Sequence, residues 1–324
     1  MNHILISGGA GFIGSHVARR LLRLGSSIRV LDNFDPFYDP AIKRRNVAEC
    51  VALAGSPSRF ELIEGDFREP AVCEQALRDV DAVIHLGALA GVRPSIEEPI
   101  RYMDVNVRGT QVMLEALRHR PTVPMVFASS SSVYGGNTKV PFAESDAVDH
   151  PVSPYAASKK AGELICYTHH HLHGNAITCL RFFTVYGPGQ RPEMAIHKFA
   201  RHLVAGEAIP FFGDGTTRRD YTYVDDIVDG VVAALQRADG YHVYNLGGSH
   251  TTDLATLVST MEEVFGKKAR LQRLAEQPGD VRETWADTAL AERELGFRSR
   301  VGLREGIARF AEWYREEARA ARLR

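Results

Sequence analysis

The sequence is poor in cysteine. Its 324 residues hold four, Cys50, Cys73, Cys166 and Cys179, with no Cys-x-x-Cys spacing. That is too few to staple a chain of this length, and it fits a reducing compartment. Neither sign of charge dominates, with 39 Lys and Arg against 40 Asp and Glu, a net of −1. Without a long basic block, neutralising a phosphate backbone is not its main task, so nucleic acid is not expected as a partner. Long apolar runs are also missing. The longest uncharged stretch, Pro121 to Thr138, is broken by serines, prolines and glycines, so no membrane-spanning helix is expected. The start, MNHILISGGAGFIG, lacks a basic lead-in and a small-residue cleavage site, which predicts a mature, cytoplasmic N-terminus. No repeat or low-complexity linker interrupts the chain.

With 44% of its residues in the hydrophobic set, the chain is long enough for one large or two modest domains. Short, β-branched runs recur at His3–Ser7, Ile28–Asp32, Phe60–Glu64, Ala82–Leu86, Pro124–Ala128 and Ala176–Leu180, with helical periodicity between them. Ile13, Val17 and Leu21 mark one face of the first helix, and Arg19, Arg20 and Arg23 another. Parallel neighbours need long crossovers and are buried on both faces, so this alternation predicts a Rossmann-type, doubly wound α/β fold with a parallel sheet. After about residue 181 turn-rich pieces such as Tyr186-Gly-Pro-Gly and Gly213-Asp-Gly215 separate single helices. A smaller C-terminal α/β lobe is expected there, with a helix over Val224–Leu235 and a strand over Val243–Leu246 returning to the first lobe. The expected division is 1–183 plus about 219–247 for one domain, and about 184–218 plus 248–324 for the other. The tail repeats Leu303, Ile307, Phe310 and Tyr314 at helical spacing, predicting an amphipathic helix packed on the second lobe.

Gly8, Gly11 and Gly14 stand three apart, directly after the first strand and at the start of the first helix. Backbone amides there can approach a pyrophosphate closely, and the helix dipole favours its charge. Asp32 closes the second strand about twenty residues on, where a carboxylate accepts a ribose diol and repels a 2′-phosphate, selecting NAD over NADP. Asp66, after the third strand, is placed either to accept an adenine amino group or to form a turn.

Tyr155 and Lys159 lie one helical turn apart, after a Pro154 suited to helix initiation. A free phenol has a pKa of about 10, and lowering it by three units takes about 4 kcal/mol of preferential stabilisation of the phenolate. Lys159 and a cationic nicotinamide ring are suited to supply it. Ser129 to Ser132 end the fifth strand, at the edge where open α/β sheets bind ligands, so a hydroxyl there can share a hydrogen bond with the substrate oxygen that Tyr155 deprotonates. His169 and His173, four apart, admit a metal reading, but no nearby carboxylate or Cys completes a ligand set, so a solvated helix surface is expected and no metal.

Taken together, Gly8 to Gly14, Asp32, Asp66, His85 to Ala88, Asn106, Ser129 to Gly135, Tyr155 to Lys159, Arg181 to Pro188, Arg219 to Tyr221 and Gly279 to Val281 resemble the extended short-chain dehydrogenases that act on nucleotide sugars. The resemblance implies NAD held by Gly8, Gly11, Phe12, Ile13, Gly14, Asp32, Asn33, Asp66, Phe67, Leu86 and Ala88, together with Tyr155 and Lys159. It implies Tyr155 as acid/base, Lys159 as its activator and Ser130 as the hydroxyl partner. Dehydratases and decarboxylases of that family generally carry an acid where this chain has Ser131 and Ser132, which favours an epimerase. The stretches Ala90 to Ile96, Arg181 to Pro188 and Arg191 to Met194 are most similar to 4-epimerases of UDP-glucuronic acid. The implied substrate contacts are Arg93, Ser130, Ser131, Ser132, Tyr155, Thr184, Arg191, Arg219 and Asp280, with Arg219 as diphosphate clamp. Two departures stand out: Gly189-Gln190 replace the family's usual Trp-Gly, and Arg282 follows Val281 where proline is common. A 4-epimerase of uncharged UDP-hexoses is the alternative within enzymes, and a non-catalytic NAD-binding regulator the alternative outside them. Family resemblance also implies a homodimer built on helices Asp104–Leu117 and Tyr155–His169.

Overall fold

In a computed structural model of the chain, residues 2–275 and 281–322 are described. Strands β1 (His3–Ser7), β2 (Ser27–Asp32), β3 (Phe60–Glu64), β4 (Ala82–His85), β5 (Met125–Ser130) and β6 (Ile177–Phe182) join the strand Tyr241–Leu246 in one parallel sheet. Its spatial order is β3-β2-β1-β4-β5-β6 followed by Tyr241–Leu246. The order reverses between β1 and β4, which opens a crevice at the carboxyl edge of those two strands. Each predicted strand lies within two residues of its observed bounds, and the doubly wound α/β fold is the one observed.

Why these runs are apolar without alternation is visible in their packing. Ile4, Ile6, Val30, Ile84 and Val126 point into a core on one face. Leu5, Leu31, Val83, Met125 and Phe127 point into a second core on the other. Successive side chains on a strand face opposite ways, so a sheet covered on both sides needs apolar residues at every position. The first core runs on into the smaller lobe through Phe199, Phe211, Leu257, Ile307 and Phe310. There Ala208–Phe212 and Arg270–Leu274 pair in parallel, and the tail forms the helix Leu303–Arg322.

Two helices set the site. Helix α1 (Phe12–Arg23) starts at the glycine turn after β1, and its N-cap, Gly11, brings no capping side chain. The long helix Pro154–His173 opens on Ser153, whose hydroxyl accepts the Ala156 amide, with proline in its first turn. It ends on Gly174 at φ +81°, a left-handed conformation suited to glycine. Its last turn differs from the solvated surface expected. His169 is buried and hydrogen-bonded through Nε2 to Asn175 Oδ1 at 3.0 Å, and His170 Nδ1 bonds the Asn175 carbonyl at 2.8 Å. These rings tie the helix end to the loop that follows. The segment expected as one helix from Asp104 to Leu117 is a π-helical turn, Asp104–Arg108, running into an α-helix, Gly109–Leu117.

The long helix lies hard against β5. A Cβ added to Gly162 would sit 2.4 Å from Phe127 Cζ, inside van der Waals contact. Gly162→Ala is therefore expected to push helix and strand apart, costing about 1–3 kcal/mol of stability, read as a lower denaturant midpoint. An unchanged midpoint would contradict the close approach.

Candidate active site

A cavity of about 470 Å³ opens at the carboxyl ends of β1, β4 and β5. Its lining includes every residue assigned from the sequence to the cofactor, together with Ser130, Ser131, Ser132, Thr184 and Arg191. Arg93 and Arg219 lie outside that lining. The Arg93 guanidinium sits 4.7 Å from the Phe212 ring centroid, and Arg219 donates to the Arg218 carbonyl at 2.8 Å. Asp280 falls outside the described residues.

The glycine turn tests whether a dinucleotide fits. Gly8 has φ +68°, and a Cβ on it would lie 2.7 Å from the Gly87 amide nitrogen. On Gly14 a Cβ would lie 2.3 Å from the Gly8 carbonyl oxygen. Only hydrogen fits at both, so the backbone forms a bare cradle under the uncapped first-turn amides of α1, a ready site for a pyrophosphate. Asp32 faces this cradle. Its carboxylate accepts the Ala10 amide at 3.2 Å and the Phe34 amide at 2.9 Å, which leaves lone pairs for a ribose diol. Asp66 takes the turn-forming role at the edge of the cavity. It lines the cavity, and it also orders its own turn, accepting the Arg68 amide at 2.9 Å and the Asn33 side-chain amide at 2.9 Å. Burial pushes its carboxyl up, but the Arg68 and Asn33 hydrogen bonds hold it below the usual range.

Helix α2 (Pro40–Ala54) supplies a wall that the sequence reading missed. Lys43 Nζ lies 3.6 Å from Asp32 Oδ1 and 5.2 Å from the Tyr38 ring centroid. Asn46 donates to the Ala10 carbonyl at 2.9 Å. The buried face of this helix is Lys43, Asn46, Cys50 and Ala54, so hydrophobic periodicity gives no sign of it. The readable signal was its start, where Asp39 caps the Ala41 amide ahead of Pro40.

At the other end of the cavity the Tyr155 phenol faces Ser130. Ser130 Oγ accepts the Ser132 amide and meets Ser132 Oγ, each at 3.2 Å. Burial pushes the phenol above its ordinary value, while Ser130 and the Arg191 guanidinium pull it back. Lys159, one helical turn on from Tyr155, is held by β5. Its ammonium donates to the Ala128 carbonyl at 2.7 Å and lies 5.2 Å from the Phe127 ring centroid. Arg191 is held by Glu193 at 3.2 Å and lies 5.5 Å from the Phe37 ring centroid. Among the described residues, no group of three or more His, Cys, Asp and Glu side chains is arranged to hold a metal.

Comparison with known proteins agrees with this layout. Residues 4–247 match the family model Epimerase, described as the NAD dependent epimerase/dehydratase family. The chain is 41% identical to UDP-glucuronate 4-epimerase 3 of Arabidopsis thaliana, over 96% of this chain and 76% of that protein. It is 34% identical to the UDP-glucuronic acid 4-epimerase of Bacillus cereus, solved in complex with UDP-glucuronic acid and NAD, with a TM-score of 0.91 over 97% of this chain and 99% of that one. The UDP-glucose 4-epimerase of Thermotoga maritima, solved with UDP-glucose, is 31% identical with a TM-score of 0.88, over 98% of this chain and 99% of that one.

Burial pushes the Lys159 ammonium down from 10.5 to about 8, with Cys166 and Cys179 opposing the shift. Between those values the unfolded chain holds a proton that folded Lys159 has released. The group therefore costs stability below pH about 8, and that cost is relieved as pH rises toward 10.5. Without cofactor, the stability difference between wild type and Lys159→Met should move in favour of the wild type from pH about 7.5 to about 10. A difference that is flat with pH would contradict the buried, depressed ammonium.

Proposed function

The chain belongs to the NAD-dependent epimerase/dehydratase family, and we propose that it interconverts UDP-glucuronic acid and UDP-galacturonic acid by inversion at carbon 4. Bound NAD would supply a reversible hydride acceptor for carbon 4; the rest of the work falls to the chain. Gly8, Gly11, Gly14 and the first turn of α1 hold the pyrophosphate, and Asp32 the adenosine ribose. Tyr155 takes the proton from the carbon-4 hydroxyl, with Ser130 sharing that hydrogen bond. Lys159 adds fixed positive charge beneath the site, and Ala128 sets where that charge lies.

One observation carries the choice of sugar. The Tyr155 end of the cavity is lined by a guanidinium, Arg191, and by the uncharged hydroxyls of Ser130, Ser131, Ser132 and Thr184, while the acids in the lining, Asp32, Asp35 and Asp66, lie at the end of β2 and on the loops after β2 and β3. Arg191 is held by Glu193 from outside the lining, and a guanidinium presented to the cavity in this way suits a carboxylate on the hexose. The oxidised glucuronate is a β-keto acid, which loses carbon dioxide when the breaking bond aligns with the carbonyl π system. Arg191, Ser131, Ser132 and Thr184 hold the carboxylate out of that alignment. The nucleotide must stay fixed while the sugar turns, and Arg219, with Arg93 and Asp280, is assigned to that grip. Arg219 adjoins Asp220, whose carbonyl accepts the amide of cavity-lining Thr184 at 3.0 Å. Residues 1–183 with about 219–247 form the NAD domain in this reading, and about 184–218 with 248–324 the nucleotide-sugar domain.

The assignment is tested by the mass and stereochemistry of the product made from UDP-glucuronic acid without added NAD, with UDP-glucose run in parallel. The charged substrate should turn over faster, and Tyr155→Phe should lower kcat by about 10²–10⁴. Faster turnover of UDP-glucose would favour the uncharged-hexose epimerase, and a Tyr155→Phe protein near wild type would favour the NAD-binding regulator.

A homodimer is proposed on the long helix together with Val92–Glu97 and Pro99–Met103, which lie just ahead of the expected Asp104–Leu117. Ile96, Ile100 and Met103 are exposed there by 48%, 84% and 38%, and Leu164 and Tyr167 on the long helix by 55% and 52%, more apolar side chain than one small surface usually leaves in water. No helix among the described residues is long and apolar enough to cross a membrane, and all four cysteines are buried free thiols, in keeping with a cytoplasmic enzyme. Light scattering should give two chains per particle for the wild type and one for Ile100→Glu/Leu164→Glu. A monomeric wild type overturns the dimer.

A further inference from the structure

Below the catalytic hydroxyls lies a polar cluster that the reaction as described does not use. Glu163 and Arg181 are 2% and 3% exposed. Arg181 grips the carboxylate with two donors, Nε to Oε1 at 2.8 Å and its terminal nitrogen to Oε2 at 2.9 Å. Glu163 Oε1 also accepts the Ser129 hydroxyl at 2.6 Å. The other terminal nitrogen of Arg181 donates to the Tyr134 hydroxyl at 2.9 Å, and that hydroxyl donates to Asn245 Oδ1 at 2.7 Å. Lys160 Nζ stands 3.5 Å from Glu163 Oε2, and the Tyr241 hydroxyl donates to the Glu163 carbonyl at 3.0 Å. Against burial, which would raise it, Arg181 holds the Glu163 carboxyl below the usual range.

The two anchors bracket the catalytic turn. Ser129 is fixed through Glu163 and Tyr134 through Arg181, so Ser130, Ser131 and Ser132 hang between two points tied to one ion pair. Glu163 shares its helix with Tyr155 and Lys159, two turns and one turn earlier, which places all three on one helical side. We propose that Glu163 and Arg181 are positioning residues that hold the Ser130 hydroxyl in register with the Tyr155 phenol, joining the strand end to the helix through Ser129 and Tyr134. A buried ion pair is weak evidence for stability alone, but its fixed fork geometry suits it to setting register. This inference rests on the epimerase reading only for the roles of Ser130 and Tyr155.

The readout is the titration of Tyr155 itself. It faces Ser130, Arg191 and the Tyr102 ring, whose centroid is 6.3 Å away, while Lys159, one helical turn on, is held by the Ala128 carbonyl; of these, Ser130 is the group that loss of the Ser129 anchor moves. Protein labelled with 13C at the tyrosine Cζ, loaded with NAD, is titrated by NMR, with the Tyr155 signal assigned from Tyr155→Phe. Ser129→Ala cuts the 2.6 Å bond and leaves the ion pair intact, so it keeps the fold if Glu163→Gln does not. It should raise the Tyr155 pKa by roughly half a unit or more and lower kcat on UDP-glucuronic acid roughly tenfold with KM little changed. Ser129→Thr, which keeps a hydroxyl, should restore both. An unmoved Tyr155 titration in Ser129→Ala overturns the proposal, even if kcat falls. Failure of the epimerase reading appears separately, as a wild-type protein that does not invert UDP-glucuronic acid.

Discussion

Everything at the reacting end of the cavity depends on how closely one helix lies against one strand. The helix Pro154–His173 brings a phenol and an ammonium, and β5 brings the hydroxyls that must meet them. Those groups share a site only because Gly162 lets Phe127 pack where a side chain would otherwise stand. The same approach puts Lys159 Nζ within hydrogen-bond distance of a strand carbonyl, Ala128, at 2.7 Å. Fixed to a backbone oxygen, the ammonium gives up the rotamer freedom it would need to chase the phenol, and acts on it as part of a rigid field.

That field is divided. The cofactor end carries Asp32, Asp35 and Asp66, and the sugar end carries Arg191 with neutral hydroxyls. Burial opposes charge on both groups, raising the Tyr155 phenol and lowering the Lys159 ammonium. Each therefore sits nearer to gaining or losing its proton than its free counterpart does in one direction and farther in the other. A positive charge brought close to the phenol counters the burial cost directly, because in a dry site a nearby charge outweighs the same charge in water.

The fold was legible in the sequence because it is written in its strongest signals. A sheet buried on both faces demands unbroken apolar runs, and the glycine turn after the first run is required because a Cβ on Gly14 would collide with the Gly8 carbonyl oxygen. Residues whose roles follow from position at a strand end, such as Ser130 and Asp32, could be found for the same reason. What escaped notice was polar burial. Lys43, Asn46, Glu163 and His169 are buried against partners distant in sequence or around a helix end, and no periodicity marks a charged residue as inward-facing. The expected pairing of Lys159 with Tyr155 was right in placing both on one helix face, but spacing gives no indication that a carbonyl of β5 would capture the ammonium.

At Gly189-Gln190 the loop is held without a bulky ring. Gly189 has φ +76°, and a Cβ on it would come within 3.9 Å of both His16 Nε2 and Phe12 Cδ2, so a side chain would be strained in backbone although not crowded. In its place, hydrogen bonds fix the loop from three sides. His16 Nε2 meets the Pro188 carbonyl at 2.8 Å, His197 Nδ1 the Gln190 carbonyl at 2.6 Å, and Gln190 Nε2 the Val185 carbonyl at 3.2 Å. A carbonyl only accepts, so each histidine nitrogen here carries its proton. The residue delivered by this loop is Arg191. Packing of a ring constrains volume, whereas three directed bonds constrain orientation, so these bonds fix the direction from which the Arg191 guanidinium reaches the cavity.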